Sequence, residues 1–356
     1  MSTVIRLNSL GTVSHRGTPL RILAALLICL FGSLAGCTSE PMNDQSKVPT
    51  NAASSVSEPS EEAFEPPEEA FVPFDVRPLL SPTRKYFGAA LDGAPASSRP
   101  VKDFTSKAGK QPNMLLYYTA WGDQFDANAV KNARALGALP VMAWEPFEPA
   151  IADIADGVSD DYIKKYATAV RTLNLPIAIS LAHEMNGFWY PWGTKKTSPD
   201  DFVQAWRHVH NIFLDVGATN VIWVWSPNVI NPMPRIPLSP LYPGDSYVDW
   251  IGVVGYYEEG GASTFSTLFG PTKATVRKFT SKPILILETG AEDGTRKRSD
   301  IADLFKGVAA SPDVIGFNWF NYVKRADWRI DSDPSALAEF RKHARNDVFG
   351  FDLKHP

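Results

Sequence analysis

Eight short apolar segments with the length and composition of β-strands alternate with helical segments along most of this 356-residue chain. Eight such units match a (β/α)8 barrel, a fold that usually needs about 250 residues. The predicted strands are Tyr86–Asp92, Met114–Trp121, Pro140–Trp144, Ile177–Leu181, Val221–Trp225, Trp250–Tyr256, Pro283–Glu288 and Val314–Trp319. The predicted helices are Ala127–Leu136, Asp160–Leu173, Asp200–Val216, Leu268–Phe279, Asp300–Ala309 and Ser335–Ala344. We therefore predict an α/β fold, a (β/α)8 (TIM) barrel, over residues 83–348.

The rival α/β architecture is a doubly wound open sheet, which commonly binds a nucleotide through a glycine-rich loop after its first strand. No such loop follows the first predicted strand of this chain, so the barrel is preferred and no cofactor is expected. His208 and His210 lie in a predicted helix with no third ligand nearby in the sequence, and we interpret them as structural or surface residues. No metal site is predicted.

The first 37 residues have the features of an export signal. Three arginines precede an apolar run over residues 22–34, which is too short to span a membrane as a structural helix. The run ends in Leu-Ala-Gly-Cys37, which resembles a bacterial lipobox. The resemblance implies cleavage before Cys37, lipid attachment to its sulfur, and a membrane-anchored lipoprotein at the cell surface or in the periplasm. An ordinary signal peptide with an incidental cysteine is the alternative.

Residues 38–82 are predicted to be a disordered linker, because they are rich in Pro, Glu and Ser and have almost no aliphatic content. The acidic charge of the chain is concentrated there, since residues 37–75 hold nine acids and one lysine. The remaining residues, 76–356, are close to neutral. A near-neutral domain lacks the basic surface that nucleic acid requires, so we expect no nucleic-acid partner. We also expect a monomer. The only cysteines are Cys29 and Cys37, so the mature domain has no disulfide.

Two glutamates stand at the ends of predicted strands. Glu184 follows the fourth strand and Glu288 ends the seventh, where it comes after a run of apolar residues and needs solvent or a partner. Active-site groups of a barrel lie at the carboxyl ends of its strands, so a closed barrel brings both glutamates to one rim. Two carboxylates that face each other across a pocket are what glycoside hydrolysis requires.

Aromatic residues surround these positions. Flat aromatic faces beside a carboxylate suit a sugar ring, whose C–H groups stack on them while its hydroxyls need polar partners. The residues concerned are Trp189, Tyr190 and Trp192 after Glu184, Tyr256 at the end of the sixth strand and Trp319 at the end of the eighth.

Several segments together resemble glycoside hydrolase family 26. They are His183–Gly187 with Trp189–Gly193, Trp225–Asn228, Tyr242–Asp245, Trp250–Tyr256, Leu287–Gly290, Trp319–Asn321 and Asp327–Ile330. The resemblance extends from residue 84 to about residue 345. It implies a retaining, barrel-fold glycosidase of a group best known for β-1,4-mannanases, with some mixed-linkage β-glucanases and xylanases. It also implies that Glu184 is the acid/base and Glu288 the nucleophile.

The same resemblance implies substrate-binding roles around the two glutamates. His183 would bind substrate or steady the carboxylates, Tyr256 would hydrogen-bond the nucleophile, and Trp319 would form the sugar platform at the cleavage site. Further substrate contacts are expected from Trp144, Trp189, Trp192 and Asn228, although Asn228 could instead cap a turn.

Two departures bear on the substrate. Val254 stands where relatives commonly have an acidic residue, and Trp144-Glu145-Pro146 is similar to the glucan-active branch of the family. Glu145 is left open between a substrate-binding carboxylate and a structural partner. We expect a retaining endo-β-glycosidase acting on β-1,4-mannan, with mixed-linkage β-1,3-1,4-glucan as the alternative. The competing class, a non-catalytic carbohydrate-binding lipoprotein, is disfavoured because both carboxylates are present with their flanking motifs.

Overall fold

The computed structural model describes residues 71–231 and 236–356, and within them eight parallel strands form a closed barrel in chain order. The last strand pairs with the first, with Tyr86 opposite Gly316. The strands are β1 (Tyr86–Ala90), β2 (Met114–Ala120), β3 (Leu139–Glu145), β4 (Ile177–Leu181), β5 (Val221–Trp225), β6 (Trp250–Val254), β7 (Ile284–Thr289) and β8 (Val314–Phe320). The predicted barrel is confirmed.

The helices of the described residues surround this barrel. They are α1 (Arg77–Leu80), α2 (Arg99–Ala108), α3 (Ala127–Ala135), α4 (Ile151–Ala155), α5 (Asp160–Leu173), α6 (Pro199–Val216), α7 (Phe265–Val276), α8 (Lys297–Ala310) and α9 (Pro334–Ala344). All six predicted helices are present. Helices α1, α2 and α4 were not predicted, although α2 buries Val101, Phe104 and Ala108 at the spacing of one helix face. The described part of the β5–β6 connection contains a short 3₁₀ turn, Ser239–Leu241.

Helix α6 illustrates how local sequence sets an element. The side chain of Ser198 accepts a hydrogen bond from the backbone N–H of Asp201 at 3.1 Å, and Pro199 occupies the first helical position. The helix ends at Gly217, whose left-handed backbone (φ 79°) closes the last turn. Because α6 follows the loop that carries Glu184, the Ser198 cap fixes the end of that loop.

Alternation along each strand divides the core into two layers. One set of side chains, such as Leu116 on β2 and Ala143 on β3, belongs to the cluster inside the barrel. The next residues, such as Leu115 and Met142, belong to the cluster between barrel and helices. The last inward position of a strand therefore faces the barrel mouth, and the residue before it faces the helices.

The amino-terminal end of the barrel is closed by both ends of the described chain. The carbonyl oxygens of Leu79 and Leu80 accept hydrogen bonds at 2.9 Å from the hydroxyl of Tyr86 and the indole N–H of Trp250. From the other end of the chain, the ring of Phe351 packs on Tyr86 with a centroid distance of 4.8 Å. Apolar and hydrogen-bonded contacts therefore hold α1 and the last residues under the barrel.

The folded domain extends beyond the predicted bounds 83–348 at both ends, because residues 71–82 and 349–356 pack against it. The predicted signal peptide, the lipobox cysteine Cys37 and most of the predicted linker lie outside the described residues. Among the residues that the structure describes, no helix is both long and apolar enough to cross a membrane.

Candidate active site

Glu184 lies in the turn just beyond β4. Its backbone has a conformation that residues other than glycine rarely adopt. Its φ is 56°, and that of Ala182 is 48°. The backbone N–H of Glu184 donates to the carbonyl of Ser226 beyond β5 at 2.6 Å. Such strain persists only where surrounding contacts hold it, and it is typical of functional positions.

The two carboxylate oxygens of Glu184 have different donors. The indole N–H of Trp189 donates to Oε2 at 2.8 Å, and the amide of Asn228 donates to Oε1. Asn228 is itself held by Asn186, because the side-chain amide of Asn186 bonds both the N–H and the carbonyl of Asn228, at 2.8 and 2.9 Å. This network fixes the orientation of the Glu184 carboxylate.

Gly187 makes room for this arrangement. A β-carbon at Gly187 would lie 2.6 Å from the ring of Trp189, closer than any real contact. A side chain at this position would therefore push the indole away from Glu184.

Glu288 lies near the end of β7 and accepts hydrogen bonds from two tyrosines. The hydroxyl of Tyr256, just beyond β6, donates to Oε1, and that of Tyr118, on β2, donates to Oε2. The contact with Tyr256 was predicted. Tyr118 was not, although it occupies an inward position close to the end of its strand, the signal that could have identified it.

The pocket perturbs the titration of both glutamates. Burial, followed by the negative charge of Glu288, raises the pKa of Glu184 to about 7. Burial also raises the pKa of Glu288, while the Tyr118 and Tyr256 hydrogen bonds and the charge of Lys324 act in the opposite direction. With a pKa of about 7, Glu184 remains partly protonated near neutral pH even though Trp189 and Asn228 donate to its carboxylate. The two tyrosines favour the ionised form of Glu288.

His183 lies beside this pair, buried with 3% of its surface exposed. Its Nε2 is 3.3 Å from the hydroxyl of Tyr190 and 4.0 Å from Oε1 of Glu145, the last residue of β3. Burial, and to a smaller extent the charge of Lys324, lowers the pKa of His183 to about 4. His183 is therefore neutral at pH 7 and acts as a hydrogen-bonding group.

The described residues contain no group of three or more His, Cys, Asp and Glu side chains placed to hold a metal ion. Of the histidines in α6, His208 pairs with Asp160 at 2.6 Å and His210 packs on Trp223 and Tyr247. Both have structural contacts.

A family model described as glycosyl hydrolase family 26 matches residues 148–319, a range that contains both Glu184 and Glu288. Over this range the chain is similar to glycosyl hydrolase family 26. Endoglucanase H of Acetivibrio thermocellus is 32% identical over 267 residues, which cover 70% of this chain and 29% of the relative. Mannan endo-1,4-β-mannosidase A and B of Caldalkalibacillus mannanilyticus is 30% identical over 196 residues, which cover 51% of this chain and 35% of the relative. The chain thus spans about a third of the length of these relatives.

Solved family 26 structures share the barrel. The catalytic domain of an endo-β-1,4-mannanase from Bacillus sp. JAMB-750 superposes with a TM-score of 0.60 at 16% identity, covering 76% of this chain and 88% of that chain. A β-mannanase from Bacteroides ovatus gives 0.57 at 17% identity, covering 76% of this chain and 90% of that chain. At identities of 16% and 17%, the similarity of this chain to these structures shows a shared fold.

Within this barrel, two predicted sugar contacts are wrong. Trp144 and Trp319 are both fully buried on the outer face of their strands. Trp144 stacks between Trp121 and Tyr166, with centroid distances of 4.5 Å to each. Trp319 donates its indole N–H to the carbonyl of Trp328 at 2.9 Å and packs on α9. Neither ring reaches the mouth, because each immediately precedes the last inward residue of its strand.

Trp192 also lies below the surface, with 1% exposed. Its indole N–H donates to the carbonyl of His183 at 2.6 Å, and its ring stacks on Tyr190 at 4.3 Å. Trp192 therefore supports the site and does not line the cleft as predicted. The structure brings the predicted residues Glu184, Glu288, His183, Trp189, Tyr256 and Asn228 together at the mouth.

Proposed function

We propose that this chain is a retaining endo-β-glycosidase that hydrolyses β-1,4-mannan, with Glu184 as acid/base and Glu288 as nucleophile. The observation that carries the proposal is the contrast between the two carboxyl groups. Burial and the charge of Glu288 raise the pKa of Glu184 to about 7, although Trp189 and Asn228 donate hydrogen bonds to its carboxylate. Both oxygens of Glu288 accept hydrogen bonds from tyrosine hydroxyls, which favour its anion. One group is suited to give a proton and the other to act as an anion.

The reaction then proceeds in two steps. A carboxylate oxygen of Glu288 attacks the anomeric carbon while Glu184 protonates the leaving glycosidic oxygen, so that a covalent glycosyl-enzyme forms and the aglycone departs. Glu184, now ionised, removes a proton from a water molecule that attacks the same carbon and releases Glu288. Trp189 and Asn228 hold Glu184 in position for both proton transfers.

Mannan is supported by the relative named mannan endo-1,4-β-mannosidase. A second candidate, mixed-linkage β-glucan, is favoured by a different observation, since the relative that matches 70% of this chain is named an endoglucanase. The test is a panel of β-mannan, mixed-linkage β-glucan and β-xylan with sizing of the products. Mannan-derived oligosaccharides of several lengths support the first candidate, glucan-derived ones support the second, and no turnover on any polymer contradicts both.

The proposal includes an exported, lipid-anchored monomer, based on the lipobox-like sequence that ends at Cys37. Metabolic labelling with a fatty-acid analogue tests the anchor, because the Cys37→Ser variant should lose the label.

A further inference from the structure

A tight hairpin follows β8, and the proposed mechanism does not use it. We call residues 322–328 the β8 hairpin. The backbone N–H of Trp328 donates to the carbonyl of Tyr322 at 2.9 Å, and that of Lys324 donates to the carbonyl of Ala326 at 3.0 Å. These two bonds place Lys324 near the tip of the hairpin.

The β8 hairpin is fixed at two points beside the nucleophile. Trp328, with 3% of its surface exposed, packs on the ring of Tyr256 at a centroid distance of 4.7 Å. Arg325 forms an ion pair with Glu258 in the connection that follows β6. Because the hydroxyl of Tyr256 donates to Glu288, the hairpin is anchored on one of the two groups that hydrogen-bond the nucleophile.

The side chain of Lys324 lies over three aromatic rings at the mouth. Its ammonium nitrogen is 5.9 Å from the ring centroid of Tyr118, 5.5 Å from that of Phe320 and 5.8 Å from that of Tyr322. A cation within about 6 Å of an aromatic face is attracted by the ring. The hydroxyl of Tyr118 donates to Glu288, so a single tyrosine connects the ammonium to the nucleophile.

The positive charge of Lys324 is not neutralised by a neighbour. In the part of the chain that the structure describes, its ammonium has no carboxylate partner, whereas the adjacent Arg325 is paired with Glu258. Burial raises the pKa of Glu288, whereas the two tyrosine hydrogen bonds and then the charge of Lys324 lower it. The cation can act on the mouth in this way because no adjacent carboxylate cancels its field.

The other titratable groups around Glu288 carry little charge on the acid side of neutral pH. Burial, followed by the charge of Glu288, raises the pKa of Glu184 and of Glu145 to about 7. Burial lowers the pKa of His183 to about 4 and raises the pKa of every tyrosine at the mouth. These tyrosines are Tyr118 on β2, Tyr190 beyond β4, Tyr256 beyond β6 and Tyr322 beyond β8, and Asp92 beyond β1 acts on Tyr322. Among these described groups, Lys324 is therefore the unpaired cation that acts on Glu288.

We propose that Lys324 is a positioning residue for the reaction, whose ammonium, held on three aromatic rings, stabilises the ionised carboxylate of Glu288. This inference rests on the proposed glycosidase function and deepens it, because it assigns part of the readiness of the nucleophile to the β8 hairpin. The ammonium acts on the free enzyme, before a substrate is bound.

The test measures kcat/KM against pH for the full chain with 2,4-dinitrophenyl β-glycosides of β-linked disaccharides. Their leaving group needs no proton, so the acid limb of the profile reports ionisation of the nucleophile in the free enzyme. Lys324→Met should move this limb to higher pH, because loss of the cation makes the anion of Glu288 less favourable. On the limb, kcat/KM should be about threefold lower than in the wild type. At higher pH, where Glu288 is already ionised, kcat/KM should change little.

Two further variants separate charge from structure. Lys324→Arg keeps a cation over the same rings and should leave the acid limb close to its wild-type position. The matched control is Arg171→Met, because the guanidinium of Arg171 lies 4.7 Å from the ring of Phe71, in the last turn of α5. It makes the same change in net charge and should leave the whole profile unchanged.

Salt provides a second measurement, because Lys324 is exposed and exposed charges are screened. Raising the salt from about 0.05 M to about 0.5 M should shrink the difference between the wild type and Lys324→Met. A difference that does not depend on salt would overturn the proposal. So would a loss of kcat/KM by the same factor at every pH, which indicates a substrate contact, or equal displacement of the limb in Lys324→Arg and Lys324→Met.

If the wild-type chain cleaves no β-linked substrate, the proposed function fails, but the role of Lys324 can still be measured. Carbon-13 NMR of the full chain, labelled at the glutamate carboxyl carbons, follows the titration of Glu288, whose signal is the one missing from Glu288→Gln. The midpoint should lie at higher pH in Lys324→Met than in the wild type and should not move in Arg171→Met. Equal midpoints in the wild type and Lys324→Met would overturn the proposal.

Discussion

The hydroxyl of Tyr118 donates a hydrogen bond to Oε2 of Glu288, although the two residues are 170 positions apart in the chain. The bond crosses the barrel mouth from β2 to β7. Together with Tyr256 on the other oxygen, it favours the ionised form of Glu288 and so opposes the burial that raises the pKa of this carboxyl group.

Tyr118→Phe should therefore raise the pKa of Glu288 and move the acid limb of the kcat/KM profile to higher pH. Loss of a hydrogen bond to a charged group should also lower kcat/KM at its optimum about tenfold. The same substitution at the neighbouring Tyr117, which faces the helix layer, is the control and should leave the profile in place. An acid limb that does not move in Tyr118→Phe would argue against this role.

The two glutamates should respond differently to the leaving group. Glu288→Ala should abolish turnover on every substrate, because no covalent intermediate can form. Glu184→Ala should retain activity on activated aryl glycosides but lose roughly 10²–10⁴-fold on polysaccharides, whose leaving oxygen needs a proton. Equal losses on both kinds of substrate in Glu184→Ala would contradict the assignment.

The alkaline limb of the kcat/KM profile should fall near pH 7, because Glu184 must be protonated in the first step and its pKa is raised to about 7. The limb should be present in the wild type on polysaccharide, whose leaving oxygen needs a proton, and absent from the residual activity of Glu184→Gln on the same polymer. His183 has a pKa lowered to about 4 and is neutral on both sides of this limb. An alkaline limb that survives in Glu184→Gln would point to a different proton donor.

The same pKa shift predicts a loss of stability as pH rises. The pKa of Glu184 is about 7 in the folded protein, against an ordinary value of 4.5, so the folded protein holds the proton more tightly. The free energy of unfolding should fall as pH rises from about 4.5 to about 7 and then stay level with respect to this group. Glu184→Gln should reduce that fall, so its Tm at about pH 8 should exceed that of the wild type. Glu148→Gln should melt like the wild type at both ends of the range, and a Glu184→Gln variant that gains nothing at high pH would refute the linkage.

Hydrolysis should proceed with retention of the anomeric configuration. We expect a carboxyl separation of about 5–5.5 Å between Glu184 and Glu288, which permits direct attack, against roughly 6.5–9.5 Å in inverting enzymes. Proton NMR of the first-formed product should show the β anomer before mutarotation. An α anomer at the earliest times would exclude a covalent intermediate on Glu288.

The barrel could be predicted because it depends on features that are local in sequence. Apolar strand segments and capped amphipathic helices recur in order, and β4 and β5 have their predicted bounds. Glu184 and Glu288 could be assigned to one rim because parallel strands of a closed barrel end on the same side.

The direction of the aromatic side chains was harder to predict, since it depends on one residue of register. Trp144 and Trp319 each stand one position before the last inward residue of a strand, so alternation sends them to the helix layer. Because side chains alternate along β3, an inward-pointing Glu145 would have placed the preceding Trp144 in the helix layer. For Trp319, irregular pairing between β7 and β8, with register shifts between Ile286 and Thr289, makes the strand end difficult to place from sequence. The packing of Trp192 beneath Tyr190 depends on a loop that no periodic pattern describes.

The closed end of the barrel has a practical consequence for how this protein can be displayed. Residues 71–80 and 349–356 both meet the barrel at the end where Tyr86 and Trp250 begin their strands, opposite the catalytic mouth. A solid support or fusion partner joined directly at residue 71 or at residue 356 is therefore attached on the far side of the barrel from Glu184 and Glu288. A long polymer can cross the mouth and extend past both rims without meeting the attachment point, so immobilised protein should turn over insoluble substrate from an unobstructed face.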